Sequence, residues 1–444
     1  MTLSSKVTKK IYLCAWLLCS INLIIGIRLF YQKLPEVYVL ILCATITLIG
    51  LIWVKKERIF FEILTKFILI VQKFTKKEKY LLFDNLYSLE VESNDAYSLF
   101  LYLQKEGVPA VYFARKDSDF YNKNKEKKNK DIYFLSETGQ KRNVFLTKAF
   151  FHLLSARAVL TSFGNLDKET TKFLVHNKSI NYIYLDHGVV FFKISFFLNN
   201  YMSSKKYNYC VVSNEYEAQI FKQYGWHENQ LIKVGLPRWD LLNTKENKAK
   251  KIFVFFTWRQ TFLHKSNFRP AFRETSYYKK IESFITNQRL KNILVENKIE
   301  LCVAFHHALK NQCKVDMSFK NFQDITIVEM GEISRYVQEA DILVTDYSSL
   351  AFDFFFLEKP VLFYRVDEDD NTLEMSDRVD LNFAKSLDSK MFNVFYNEEL
   401  LIDKLKFYIE NDFLLENENL NILNDKFFTK KEIRRQIFEK IEKL

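Results

Sequence analysis

At 444 residues the chain is longer than one hydrophobic core usually serves, which predicts two globular domains and an additional segment. Hydrophobic residues make up 48% and charged residues 27%, which excludes a wholly disordered chain. The net charge of +11 suits an anionic lipid or a phosphate-rich substrate, and with no recognisable nucleic-acid module we expect no nucleic-acid partner. The six cysteines lack metal-ligand spacing, which indicates a reducing compartment without disulfides or structural zinc.

Two apolar stretches near the N-terminus are long enough to cross a bilayer. Residues 11–30 carry only Arg28 and residues 37–54 carry no charge, so each can span a hydrocarbon core of about 30 Å as a helix. Basic residues precede the first stretch and follow the second, so the positive-inside rule predicts a two-span hairpin in the cell membrane, with both chain ends and the whole soluble portion in the cytoplasm. A cleaved signal peptide is the alternative for the first stretch, although no small-residue cleavage site follows it.

The next segment, RIFFEILTKFILIVQKF at 58–74, has apolar residues at helical spacing. It either lies in the membrane interface or forms the first helix packed on the soluble part. We assign residues 1–75 to the membrane hairpin and this amphipathic helix.

From about Lys79 onward, short apolar runs alternate with helix-like segments, which predicts βαβ units and a parallel sheet. A second series starts at KIFVFFTW (251–258), after the polar stretch NTKENKAKK. We therefore expect an α/β protein with two doubly wound Rossmann-like domains, at 76–243 and 250–425, and a C-terminal helix at 426–444. Ligands bind such folds at the carboxyl ends of the strands, so the site should lie in a cleft between the domains.

The stretch ILVTDYSSLAFDF (342–354) predicts a buried strand, a polar turn and a helix. Backbone N–H groups and the hydroxyls of Ser348 and Ser349 would meet at the turn, which suits a phosphate or diphosphate. The alternative is that Asp346 or a serine only caps the helix. One turn further on, Asp353 can accept hydrogen bonds from ribose or form a structural salt bridge.

Four more polar residues follow predicted strands. His187 in YIYLDHGVV can act as a general base toward an alcohol, although a lone histidine is more often structural. Arg238 in GLPRWD can clamp a phosphate, although a turn with an exposed ion pair is the simpler account. Arg259 in FFTWRQ and His306 in AFHHALK follow strands of the second series and suit a diphosphate. Their shared position at strand ends is stronger evidence than any one of them.

In this order the motifs resemble those of the CDP-glycerol glycerophosphotransferases, which build teichoic acid and related poly(alditol phosphate) chains. The resemblance covers roughly residues 80–410 and is most specific in DILVTDYSSLAFDFFFLEKPVLFY. It implies a GT-B-like fold whose C-terminal domain holds a CDP-alditol. It also implies two catalytic residues, His187 as base and His306 at the diphosphate, and a set of donor-binding residues: Arg238, Arg259, Ser348, Ser349 and Asp353.

One departure concerns the acceptor side. Family members often have Trp-His-Gly-Thr where this chain has Asp186-His187-Gly188-Val189, so the acceptor is less well defined than the donor.

The expected reaction is transfer of glycerol phosphate or ribitol phosphate from CDP-glycerol or CDP-ribitol to a lipid-linked or glycolipid acceptor at the membrane, with release of CMP. The product would be a teichoic acid-like or capsular polymer. Because the sequence offers no acidic metal cluster, we expect no metal and no cofactor. The alternatives are a GT-B glycosyltransferase that uses a nucleotide sugar and a catalytically inactive membrane scaffold. The sequence leaves open which alditol is used and whether the chain is a primase or a polymerase.

Overall fold

The computed structural model describes a large part of the chain, and every structural statement below concerns that part. It comprises residues 68–70, 72, 75–83, 94–115, 120, 130–135, 152–162, 166, 168–186, 188–190, 199, 202–245, 249–257, 259, 274–306, 325–366, 393–416 and 432–444. These residues belong to two compact units. The smaller unit contains the described residues up to Lys77 together with 152–155, and the larger unit contains the others.

In the smaller unit, side chains of one segment bond to the backbone of the other. The Gln72 amide donates to the carbonyl oxygen of Leu153 at 2.8 Å, and the Thr75 hydroxyl donates to that of Leu154 at 2.6 Å. The predicted spans at 11–30 and 37–54 lie outside the described residues. Within the described part, none of the helices has the length and apolar character needed to cross a bilayer.

The first sheet of the larger unit is parallel throughout, with the strand order β3-β2-β1-β4-β5-β6-β7. Its strands are β1 (Lys79–Phe83), β2 (Ala110–Arg115), β3 (Ile132–Leu135), β4 (Ala156–Thr161), β5 (Asn181–Leu185), β6 (Tyr209–Val212) and β7 (Leu231–Lys233). The four successive residues 80–83 of β1 are all buried, as expected for a sheet covered on both faces. The helices are α1 (Asp95–Lys105), α2 (Lys168–His176) and α3 (Glu215–Gln223).

The second sheet repeats this plan, with the order β10-β9-β8-β11-β12-β13 and only parallel pairs. Its strands are β8 (Lys251–Phe256), β9 (Glu300–Phe305), β10 (Ile325–Ile327), β11 (Ile342–Thr345), β12 (Val361–Tyr364) and β13 (Asn393–Phe395). Its helices are α4 (Ser276–Thr286), α5 (Gln288–Asn297), α6 (Ile333–Glu339), α7 (Leu350–Phe356) and α8 (Glu398–Glu410).

Two doubly wound parallel sheets confirm the predicted α/β class. In each sheet the strand order reverses at one point, between β1 and β4 in the first sheet and between β8 and β11 in the second. Such switch points leave a crevice outside the carboxyl ends of the strands, where ligands bind in folds of this kind. The exact domain boundaries that we expected from the sequence stay a prediction.

The last helix, α9 (Ile433–Glu442), packs on the first sheet's domain rather than on the second. The Asp240 carboxylate accepts the backbone N–H groups of Ile433 at 3.1 Å and Arg434 at 2.8 Å, which satisfies the start of the helix. The ring of Phe438 lies 5.8 Å from that of Tyr80 in β1. The chain therefore returns to its first domain after completing the second.

Candidate active site

The carboxyl ends of four neighbouring strands in the second sheet bring polar side chains to one edge. Thr257 follows β8, His306 follows β9, Asp346 follows β11 and Arg365 follows β12. Because these strands are parallel neighbours in continuous register, their ends meet at the same side of the sheet. This edge includes the switch point between β8 and β11.

Asp346 joins three of these strand ends. Its buried carboxylate accepts hydrogen bonds from the backbone N–H of Thr257 at 2.9 Å and from the Thr257 hydroxyl at 3.0 Å. The same carboxylate forms an ion pair with Arg259 at 2.8 Å. Its carbonyl oxygen accepts a hydrogen bond from Arg365 at 2.7 Å. The Asp346 carboxylate therefore binds Thr257 and Arg259 of the second domain. It does not cap α7, which was one of the predicted alternatives.

The two serines of the turn differ in their contacts. Ser348 is buried, and its hydroxyl oxygen accepts the backbone N–H of Leu350 at 3.1 Å, so this serine satisfies the first N–H of α7 from the position before the N-cap. Ser349 makes no side-chain capping bond and is only partly buried. The capping alternative therefore applies to Ser348, whereas the hydroxyl of Ser349 faces the first domain, as described below.

Two buried arginines lie over the ring of Tyr347. The Arg365 guanidinium is 3.7 Å from the ring centroid and that of Arg259 is 5.2 Å from it. Arg259 also lies 4.6 Å from the centroid of Tyr277. Cation–π contacts of this kind stabilise a guanidinium that is largely removed from water. Arg365 was missed at the sequence level, although it follows a strand end just as Arg259 and His306 do.

His306 lies at the same edge, partly exposed, with its ring centroid 6.4 Å from that of Phe255. Arg259 and Arg365 bring two guanidinium groups to this edge against the one carboxylate of Asp346, and the net positive charge suits an anionic ligand. His187, the predicted base, lies outside the described residues. No three His, Cys, Asp or Glu side chains in the described ranges are grouped to hold a metal ion, and independence from metal stays a prediction.

Asp353 of α7 bonds to the first domain. Its carboxylate accepts hydrogen bonds from Arg238 Nη2 at 3.0 and 3.3 Å and from the Trp239 indole N–H at 2.6 Å. Arg238 also donates to Asp95 of α1, through Nη1 at 2.6 Å and through its backbone N–H at 3.0 Å. The structure thus contains the salt bridge that was one of two predicted roles for Asp353, and the contact with ribose stays a prediction.

This ion triad is largely withdrawn from water. The side chains of Arg238, Asp95 and Asp353 are 11%, 3% and 8% exposed. Burial raises the pKa of Asp95 to about 6, although the charge of Arg238 opposes the shift. Burial also disfavours the charge on Arg238, but the carboxylates of Asp353 and Asp95 outweigh it and raise the arginine's pKa. Arg238 therefore remains charged between its two carboxylates.

Gly188, in the His-Gly pair, lies directly against Ser349 of the second domain. Its φ of +149° is one that residues with a side chain rarely adopt. A Cβ atom on Gly188 would come within 2.7 Å of the Ser349 hydroxyl oxygen and within 3.9 Å of Arg238 Nη2. The glycine thus allows the first domain's backbone to approach the polar turn of the second.

Replacing Asp353 by Asn removes one of the two counter-charges of the buried Arg238. We expect the free energy of unfolding to fall by about 3 kcal/mol, because breaking a buried ion pair leaves a charge uncompensated. Urea unfolding measures this loss. The matched control is Asp403→Asn, whose exposed carboxylate pairs with Arg289 and should matter by less than about 0.5 kcal/mol. Equal losses in both variants would contradict the role of the triad.

Replacing Gly188 by Ala places a methyl group against the Ser349 hydroxyl. We expect a loss of about 1–3 kcal/mol in the free energy of unfolding, from overpacking and from the unfavourable φ. The double variant Gly188→Ala with Ser349→Ala should recover part of this loss, because the closest atom is removed. Gly331→Ala, where a Cβ meets no atom within 4 Å, is the control. A Gly188→Ala protein as stable as this control would exclude the close contact.

The sequence is similar to those of proteins described as acting in teichoic acid synthesis. The minor teichoic acid biosynthesis protein GgaB of Bacillus subtilis is 24% identical over 369 residues, which cover 79% of this chain and 38% of that protein. The teichoic acid glycerol-phosphate primase of the same organism is 29% identical over 250 residues, covering 54% of this chain and 62% of the primase. The chain thus spans less than two thirds of the length of these relatives.

Among solved structures, the wall teichoic acid polymerase TagF, soaked with CDPG, superimposes with a TM-score of 0.54 at 16% identity, over 84% of this chain and 90% of that one. This similarity confirms the GT-B-like fold. Residues 65–442 match the family described as CDP-Glycerol:Poly(glycerophosphate) glycerophosphotransferase, and the chain belongs to that family.

Proposed function

We propose that this protein transfers glycerol phosphate or ribitol phosphate from a CDP-alditol to a hydroxyl group of a membrane-anchored acceptor and releases CMP. The observation that carries the proposal is the family match over residues 65–442, which includes both sheets and the cationic edge of the second. That edge supplies Arg259, Arg365 and His306 near the hydroxyl-bearing turn at Ser348 and Ser349, a combination that suits a diphosphate.

In the proposed reaction the acceptor oxygen attacks the β-phosphorus of the CDP-alditol in line with the leaving group. The new P–O bond forms as the bond from this phosphorus to the bridging oxygen breaks, and CMP leaves with the electron pair. His187 takes the proton of the acceptor hydroxyl. His306 and the hydroxyl of Ser349 offset the charge that develops on the phosphoryl oxygens, while Arg259 contributes positive charge from its aromatic surroundings.

Relatives include proteins described as a glycerol-phosphate primase and as the ribitol-phosphate polymerase TarL, so the comparisons favour neither alditol. The donor nucleotide is better supported than the acceptor, because the departure at Asp186 and Val189 lies on the acceptor side. We infer a teichoic acid-like or capsular polymer as the product, made on a lipid-linked acceptor.

The reaction is tested by incubating the full chain in lipid with CDP-glycerol, CDP-ribitol or a UDP-sugar, together with a synthetic lipid acceptor that carries a terminal glycerol phosphate. We expect CMP release and extension of the acceptor with one of the two CDP-alditols. Release of UDP with extension by a sugar would instead identify a glycosyltransferase. Absence of transfer from all three donors would exclude the proposed reaction on this acceptor and favour the scaffold.

Variants of the predicted histidines extend this test. His306→Asn and His187→Ala should each lower kcat by about 10²–10³-fold, because one removes charge stabilisation and the other the base. His176→Asn, at an exposed helix end of the first domain, is the matched control and should leave kcat unchanged. Variants of His306 and His187 that keep full activity would exclude these roles.

We also propose that residues 11–30 and 37–54 cross the cell membrane and that both sheets lie in the cytoplasm. The charge-free length of these stretches and the basic residues around them support this placement. The protein should stay with the membrane after an alkaline carbonate wash. It should also be digested by protease in inverted vesicles but not in intact spheroplasts. Release by carbonate would contradict the two spans.

A further inference from the structure

A short 3₁₀ turn at Pro237–Leu241 carries three consecutive side chains that bond to different helices. Arg238 and Trp239 both donate hydrogen bonds to Asp353 of α7 in the second domain. Asp240, the next residue, bonds instead to the start of the C-terminal helix α9. The 237–241 turn therefore connects α9 to α7.

Asp240 satisfies the start of α9, which its own segment leaves without a side-chain cap. Glu432, directly before the helix, makes no capping bond. The Asp240 carboxylate instead accepts the N–H groups of Ile433 and Arg434, and Nε of Arg434 lies 3.2 Å from the same carboxylate. The side chains of Asp240 and Arg434 are only 13% and 19% exposed, so water and salt screen this ion pair less than they screen a surface pair.

Apolar packing joins the same two segments. A Cβ on Gly235, just before the turn, would come within 3.1 Å of the Ile433 side chain and within 3.2 Å of the Trp239 ring. Ile433 and Trp239 are both fully buried, so the first residue of α9 and the indole close in on the same glycine. A displacement of α9 would therefore open space beside Trp239, which bonds to the second domain.

On its other side the turn holds α7. The Trp239 indole N–H donates to Asp353 at 2.6 Å, and the indole ring stacks on Phe356 with centroids 5.0 Å apart. Both partners belong to α7, which begins directly after Ser349. Ser349 in turn lies against Gly188 of the first domain. The turn thus holds the helix whose start meets the His-Gly segment.

We propose that helix α9 is a positioning element for the transfer reaction, because by binding Asp240 it fixes Arg238 and Trp239 against α7. The cationic edge of the second sheet has its polar groups partnered around Asp346 within the second domain, so it keeps its shape when α9 is loosened. The loss is then in the alignment of this edge with the first domain, which lowers kcat, and not in binding of the CDP-alditol. The effect on catalysis rests on the proposed function, whereas the contacts of Asp240 do not.

Two substitutions loosen α9 to different degrees. Asp240→Ala removes the acceptor of both N–H groups, whereas Arg434→Gln removes only the ion pair, because the backbone N–H of residue 434 remains. We expect kcat to fall by about tenfold to fiftyfold in Asp240→Ala and by about twofold to fivefold in Arg434→Gln. The KM for the CDP-alditol should change by less than about threefold. Arg435→Gln is the matched control, since this exposed side chain pairs with Glu439 of its own helix, and it should match the wild type.

A double-mutant cycle in kcat separates positioning from a general loss of folded protein. Asp353→Ala removes the acceptor through which the turn holds α7. In that background Asp240→Ala should lower kcat by less than about twofold, because little remains for the turn to transmit. A general loss of folded protein would instead multiply the two effects. Full kcat in a folded Asp240→Ala protein, or the same factor in both backgrounds, would overturn the proposal.

Urea unfolding repeats the cycle without turnover and so distinguishes failure of this proposal from failure of the proposed function. If the turn links Asp240 to Asp353, the losses in the free energy of unfolding from Asp240→Ala and Asp353→Ala are less than additive. This result holds even if the protein transfers nothing from either CDP-alditol. Additive losses would exclude the link. If Asp240→Ala does not fold, Asp240→Asn, which keeps one acceptor oxygen, takes its place in both cycles.

Discussion

The arrangement of the two domains depends on a single guanidinium held between two carboxylates. Arg238 is bonded on one side to Asp95 of its own domain and on the other to Asp353 of the second domain. Withdrawal of these charges from water is costly, and the cost is offset only while each charge keeps its partner at short distance. The triad therefore favours one separation between α1 and α7. Stacking of the Trp239 ring on Phe356, with centroids 5.0 Å apart, favours the same separation.

Within the second domain, Asp346 holds neighbouring strand ends together, as the Arg238 triad holds the two domains. Its carboxylate and carbonyl oxygen hold the ends of β8, β11 and β12, and the flanking arginines are fixed over Tyr347. The turn that carries Ser348 and Ser349 is thus built on a framework whose polar groups have partners inside the domain. Such preorganisation lets binding groups act without first being ordered by the ligand.

The sequence predicted the class of fold well because its signals are local. Apolar runs and helical spacing identify strands and helices, and the rule that parallel strands end at one edge placed His306, Arg259 and the serine turn together. The same rule holds for Arg365, which directly follows β12. What the sequence could not separate was the role of each polar residue. Whether Ser348 or Asp346 caps α7 depends on which hydrogen-bond donors the fold brings to each oxygen.

Contacts between distant segments were beyond sequence reasoning. Asp95 and Arg238 are 143 positions apart, and Arg238 and Asp353 are 115 apart, so no spacing pattern links them. Asp95 occupies an ordinary first-turn position of a helix, where an acidic residue is common without any partner. In the same way Glu217 has the appearance of a normal helix-start glutamate, and only the fold shows that it binds the N–H groups of Val190 and Ser213.

The return of α9 to the first domain means that the backbone passes between the sheets twice, once before β8 and once before α9. The two domains are therefore connected both by the covalent chain before β8 and by the docking of α9 on Asp240 and Tyr80. A chain cut in the first crossing would still hold its two halves together through α9.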